Sequence, residues 1–270
     1  MSRNIDLRVR GTQHGFIRRM VSPGDVGERI KPFVFLDYVN GRVQPGAGFG
    51  FHPHSGIATL TYALDTDVAY EDTTGQKGIV EATGLEWMRA GGGTWHQGFI
   101  HPRGETVESF QLWLALPPGV EDGPSEGLYV APDRVPQVGN VRVLLGDFGG
   151  VTHPIPTEGV AYLDVVLEAD ERWSFAPAPG QTVAWAFVYR GRVRVADELV
   201  REELVVFDPS DAAIELQAVG PARVLFGCAR PHEHPLVLGS HSVHTNPRSL
   251  ANGVAKIREI GADLRRRGVI

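Results

Sequence analysis

The chain of 270 residues has one cysteine, Cys228. An internal disulfide is therefore excluded, and the apolar run "RVLFGCA" around it marks a buried, inert thiol. Positive charge is also short. The formal net charge is −6, which argues against a dedicated nucleic-acid or anionic-membrane surface, because such partners call for a basic patch. Long hydrophobic runs are missing: none approaches the roughly 18 apolar residues of a membrane helix, and the first twenty residues lack the apolar core of a signal peptide. The expected address is the cytoplasm. No polar low-complexity stretch occurs, and 42% hydrophobic with 21% charged residues is the composition of a folded chain rather than a disordered one.

What the chain has in quantity is glycine and proline, 33 and 19 copies, set between short runs rich in Val, Leu and Tyr. That spacing predicts many strands joined by turns. From Ile57 to Leu116 the reading is strand after strand: "TLTYALDTDVAYED" alternates, "TTGQKG" turns, "IVEA" and "LEWMRA" flank Gly84, and "SFQLWLAL" closes the set. The Pro-, Gly- and acid-rich segment "PPGVEDGPSEGLYVAPDRVPQVG" then reads as a connector. A faint repeat follows, because "GQTVAWAFVYRGRVRVADELVREELVVFDPSD" matches the order of strands and turns begun at "SGIATLTYALDTD". After Asn246 the pattern becomes helical, with Asn246 as cap, Pro247 at the first position and Gly268 at the exit. Leu250, Val254, Ile257, Gly261 and Leu264 form its apolar stripe, and Arg265, Arg266 and Arg267 complement the helix dipole.

The stretch "GFGFHPHSGIATLTY" carries the chemistry. On a strand, residues i and i+2 share a face, so His52 and His54 project together and Pro53 projects away. Two neutral imidazoles so placed can share a divalent ion, or can be ordinary polar residues. "AGGGTWHQGF" adds His96 behind three glycines that permit a tight backbone and close strand approach. Phe51, Trp95 and Phe99, with Trp87, are the aromatic residues expected to line a pocket beside these histidines. When the two halves are aligned at Thr66 and Gly191, His52 and His54 fall opposite Pro177 and Pro179. No histidine occurs between His153 and His232. The second copy therefore lacks whatever the first does with its histidines.

The segments "PFVFLDYV", "HPHSG", "LTYALD", "GLEWMRAGGGTWHQ" and "FQLWLALP", in this order and spacing, resemble the pirins, and "LGSHSVHTN" is similar to their C-terminal segment. The resemblance covers nearly the whole chain. It implies an all-β fold of two tandem cupin (jelly-roll-like) β-barrels with a C-terminal helix on the body: residues 1–132 a metal-bearing barrel, 133–245 a barrel without ligands, and 246–270 the helix. It also implies one divalent metal ion, Fe, Zn, Cu, Ni or Mn, held by His52, His54 and His96.

Two positions depart from the family pattern. Pirins carry a fourth ligand, a glutamate, two residues after the third histidine, where this chain has Gly98; an acidic residue four places after the second histidine is here Ala58. Three neutral imidazoles leave the ion's charge uncompensated, which predicts weaker binding tilted from iron or manganese toward zinc, copper or nickel. His101 is the candidate replacement, as a fourth ligand or nearby polar group. Gln97 is expected to point away from the His96 face, and Glu105 and Glu108 are expected to be solvated. The cluster His232, His234, His241 and His244 reads as a surface loop between prolines.

The resemblance implies two kinds of activity. One is a quercetinase-type dioxygenase, which opens a flavonol ring with O2; the other is a non-catalytic, metal- or redox-responsive module that binds a protein partner. Gly98 leaves a third alternative open, a metal-free cupin pocket for a small molecule. None of these readings involves nucleic acid or a membrane.

Overall fold

In the computed structural model, which describes residues 3–44 and 46–270, the alternating runs become strands in two units of matching construction. One unit comprises Gln13–Arg134 with His232–Ile270. Its large sheet has seven strands, in the order Glu126–Val130, Leu85–Arg89, Ile57–Ala63, Val107–Ala115, Phe33–Gly41, Ile17–Val21 and Thr12–His14. Its small sheet has four: Gly48–His54, Thr94–Pro102, Thr66–Asp72 and Lys77–Val80. The other unit comprises the residues up to Thr12 with Val135–Pro231. It repeats the plan with a seven-stranded sheet centred on Val183–Arg190, Ala222–Ala229 and Val160–Leu167, and a four-stranded sheet of Arg172–Phe175, Ile214–Ala218, Val193–Val195 and Glu198–Val200. Strand for strand, Gly48–His54 in the first unit corresponds to Arg172–Phe175 in the second. Strands with one face toward the interior, such as Arg172–Phe175 and Ile214–Ala218, bury alternate residues and give the sequence its period of two, while central strands such as Phe33–Gly41 are buried almost throughout.

This division differs from the linear 1–132, 133–245 and 246–270. Ile5–Val9 pairs antiparallel with Leu204–Phe207, so the N-terminal strand extends the second sheet system. The segment after Pro231 returns to the first. There Ser55 bridges Ser242, and the Val243 amide donates to the Ser55 carbonyl at 3.3 Å. The acidic connector is not idle chain either. Glu121 is buried and accepts from the Thr245 amide at 2.6 Å, while Glu126–Val130 is an edge strand of the large sheet. Sequence reading missed both exchanges because each joins residues far apart in the chain.

The second unit has an aromatic interior. Phe226 packs against Phe175 at 4.8 Å and Trp173 at 5.1 Å between ring centroids. The small sheets show what these residues replace: His54 faces Thr94 across the first sheet, and Phe175 faces Ile214 at the same place in the second. Trp173 and Phe175 thus occupy the positions of His52 and His54, and the alignment opposite Pro177 and Pro179 was four residues out of register. A longer connection before Val183 caused the slip. Burying such side chains contributes about 1.5–3 kcal/mol each and leaves no donor for an ion. Cys228 lies in this core, where burial pushes its thiol up to about 12 and so keeps it unreactive.

The C-terminal helix, Pro247–Arg266, begins as expected, with the Asn246 side chain accepting from the Ser249 amide at 2.9 Å. Its buried positions are Ser249, Gly253, Gly261 and Leu264. Gly261 is required there because a Cβ would sit 2.6 Å from the Trp95 ring, whose Nε1 donates to the Ile257 carbonyl at 2.7 Å. Asn246→Ala removes the cap and is expected to cost about 1 kcal/mol, read from the midpoint and slope of urea unfolding. Among the described residues, no helix is long and apolar enough to cross a membrane.

Candidate metal centre

His52 and His54 end the strand Gly48–His54, and His96 lies on its neighbour Thr94–Pro102, directly opposite His52 in the ladder. The i, i+2 pair and the cross-strand residue therefore meet on one face. Ring centroids are 4.4 Å apart for His52 and His96, and 5.0 Å for each of the other two pairs. One ligand atom from each of the three can be chosen so that all lie within 4.8 Å of one another. The triple glycine allows the tight backbone its composition predicts, since Gly91 has φ +51 and a Cβ there would lie 2.3 Å from the Gly123 carbonyl.

Hydrogen bonds fix which nitrogens face inward. His52 Nδ1 lies 2.8 Å from the Gly50 carbonyl and His54 Nδ1 lies 3.0 Å from the His241 carbonyl. Carbonyls only accept, so both rings carry their proton on Nδ1 and keep the Nε2 lone pair free. His96 Nε2 is buried without a hydrogen-bond partner among the described residues. Burial also holds the rings neutral. It lowers His54 to about 3, with His52 adding to the effect, and it takes His96 well below the usual histidine value, with His54 and His52 contributing. Burial lowers His52 as well, with its bond to the Gly50 carbonyl opposing the effect and His241 adding to it. Three converging neutral imidazoles and an orphaned buried nitrogen fit a divalent transition ion.

The cluster lies in the wall of a cavity of about 550 Å³, within the roughly 300–1,000 Å³ range of small-molecule pockets. The aromatic walls are Phe35, Phe49, Tyr70, Phe110 and Trp113. Phe51, Trp95 and Phe99 are absent from that wall: they alternate with the clustered histidines and point to the opposite face, whereas a bulge between the His52–His96 and Phe49–Gly98 pairs turns Phe49 toward the cavity. Trp95 instead holds the C-terminal helix. His101 sits at the exposed end of its strand, outside the cavity, so the structure does not bring it to the three histidines. The Gln97 amide bonds to Glu71 at 3.1 Å. Glu108, expected in solvent, is buried and accepts from the Tyr38 hydroxyl.

Glu86 is the functional candidate that sequence reading missed. It lines the same cavity, is 5% exposed, and burial raises its carboxyl to about 7. Thr61 stands opposite both Glu86 and Gln111 in the ladder, and its hydroxyl lies 2.8 Å from Glu86 Oε2 and 2.9 Å from Gln111 Oε1. One hydroxyl proton cannot serve two acceptors. Thr61 donates to the Glu86 carboxyl, which opposes the rise that burial imposes, and a Gln111 amide turned so that its otherwise unpartnered Nε2 donates to Thr61 satisfies the chain. The available signal was polar residues inside apolar strands, "TLTYA", "LEWMR" and "FQLWLA". The second histidine group is likewise not a surface loop throughout: His244 is buried, with Nε2 2.9 Å from Ser55 Oγ, and only part of the group is exposed.

Two double-sheet barrels, one with a histidine-lined pocket and one filled by aromatic side chains, define a bicupin with a single candidate centre among the described residues. The pirin family model matches residues 16–114. A pirin-like protein of Caulobacter vibrioides is 32% identical over 222 residues, covering 77% of this chain and 79% of that protein. A Pseudomonas aeruginosa protein named "Putative quercetin 2,3-dioxygenase PA2418" is 31% identical over 237 residues, 82% of each chain. Among solved structures, a quercetin 2,3-dioxygenase from Acinetobacter baumannii aligns with TM-score 0.87 and 21% identity over 100% of this chain and 99% of its own. The chain belongs to the pirin family.

Proposed function

We propose that this protein is a metal-dependent dioxygenase of the quercetinase type, acting on a planar, flavonol-like aromatic substrate with O2. The observation that carries the reading is the convergence of three neutral imidazoles on an aromatic-walled cavity that also holds a buried carboxyl. His52, His54 and His96 hold the ion through their free nitrogens. A divalent ion there supplies Lewis-acid activation of a hydroxyl group and a site for O2 chemistry. The ring of the substrate packs against Trp113 and the exposed Phe49, with Phe35 stacked behind Trp113. Glu86, with a carboxyl value near neutrality, accepts the hydroxyl proton, a role closed to Gly98. The name of the Pseudomonas relative supports the substrate class.

Gly98 favours a second reading, a metal-responsive module that binds a protein partner and turns nothing over. The two are separated by O2 uptake on adding a flavonol to metal-loaded protein. Uptake abolished in a His52→Ala/His54→Ala variant supports the enzyme; a metal-loaded wild type that consumes no O2 with any of a panel of flavonols contradicts it and favours the module.

A further inference from the structure

His241 is the residue of the second histidine group that faces the first. It lines the same cavity as His52, His54, His96 and Gly98. Its ring centroid lies 6.1 Å from His54 and 6.4 Å from His52, only slightly beyond the 4.4–5.0 Å that separates the three clustered rings. The imidazole is exposed and has no hydrogen-bond partner among the described residues, so nothing holds it back. Its backbone, by contrast, is fixed. The His241 carbonyl accepts from His54 Nδ1, Ser242 Oγ accepts from Ser55 Oγ at 2.8 Å, and the Gly239 amide donates to the Ser242 carbonyl at 2.8 Å. Behind it, His244 and Thr245 are tied to Ser55 and Glu121.

Resting on the metal-centre reading above, we propose that His241 is a fourth protein ligand, brought to the ion by rotation of its side chain on this anchored strap. The position left without a carboxylate at Gly98 is thereby served from the C-terminal segment. A fourth imidazole adds no charge, so it favours zinc, copper or nickel over harder ions. The strap is also the acceptor that sets the His54 tautomer, so one segment would both orient a ligand and supply one.

The test uses the full chain and zinc alone, with two readouts: affinity by chelator competition, and nitrogen count by X-ray absorption at the zinc edge. The wild type is expected to show four imidazole nitrogens. His241→Ala keeps the carbonyl that orients His54 and is expected to show three, with affinity lowered about tenfold or more and thermal unfolding of the metal-free protein unchanged. In a Gly98→Glu background the same substitution is expected to change affinity less than about twofold, because the carboxylate takes the fourth place; a Cβ at Gly98 meets nothing nearer than 3.6 Å. An unchanged nitrogen count in His241→Ala overturns the proposal, whatever the affinity does. A wild type whose zinc binding is unaffected by His52→Ala/His54→Ala overturns the metal-centre reading itself, a separate outcome.

Discussion

Replacing His52 and His54 together by alanine is expected to lower affinity for zinc or nickel by roughly ten-thousandfold. The magnitude follows from structural zinc sites, in which four ligands together give about 10–16 kcal/mol, so each supplies about 3 kcal/mol or roughly a hundredfold. Here both residues of one strand face leave at once, and of the three clustered imidazoles only His96, with its buried nitrogen, remains. Chelator-competition titration measures the loss. The same residues set the acid limit of the apo protein. Burial holds His54 at about 3 against an ordinary value of 6.5, so between these values the unfolded chain binds the proton that the folded chain refuses. Stability linked to this ring is fully present above pH 6.5 and is lost as pH falls toward 3. The fall should be visible in urea titrations from about pH 6.5 down to about pH 4 and should be smaller in the double variant.

The second large effect has the opposite sign in pH. Glu86 titrates at about 7 when folded, against 4.5 for an ordinary glutamate. Between those values the folded state holds a proton that the unfolded state releases, so stability falls as pH rises through the window and stays low above it. A shift of this size corresponds to about 3 kcal/mol. Glu86→Gln keeps the shape and the polar contacts to Thr61 but has nothing to ionise. The variant is therefore expected to be more stable than the wild type at about pH 8.5, by on the order of 3 kcal/mol in urea unfolding, and nearly equal at about pH 4.5. Activity should move the other way, since the amide cannot accept a proton: flavonol-dependent O2 uptake should drop about a hundredfold. A stabilised variant with full turnover would leave Glu86 a structural acid and remove it from the proposed chemistry.

Much of the fold was legible because period-two alternation and Gly/Pro turns follow directly from two packed sheets. The histidine pair was legible for the same reason: residues two apart on a strand must share a face. That rule also shows why Phe51, Trp95 and Phe99 were unsuitable as pocket walls, for they alternate with His52, His54 and His96 and so face the other way. Glu86 was hidden because its meaning depends on ladder pairing with Thr61 and, through Thr61, with Gln111. His241 was hidden by a separation of 187 residues from His54. Neither pairing is written in local sequence. Tertiary register decides both.

The central claim is that one ion is held by His52, His54 and His96 through Nε2. Anomalous diffraction at the metal absorption edge, on crystals of metal-loaded protein, tests it most directly. The expected map has one strong peak about 2.0–2.1 Å from each of the three Nε2 atoms. A peak at His232 and His234 alone, or a fully loaded solution whose crystals show no peak at the three-histidine cluster, would contradict the account.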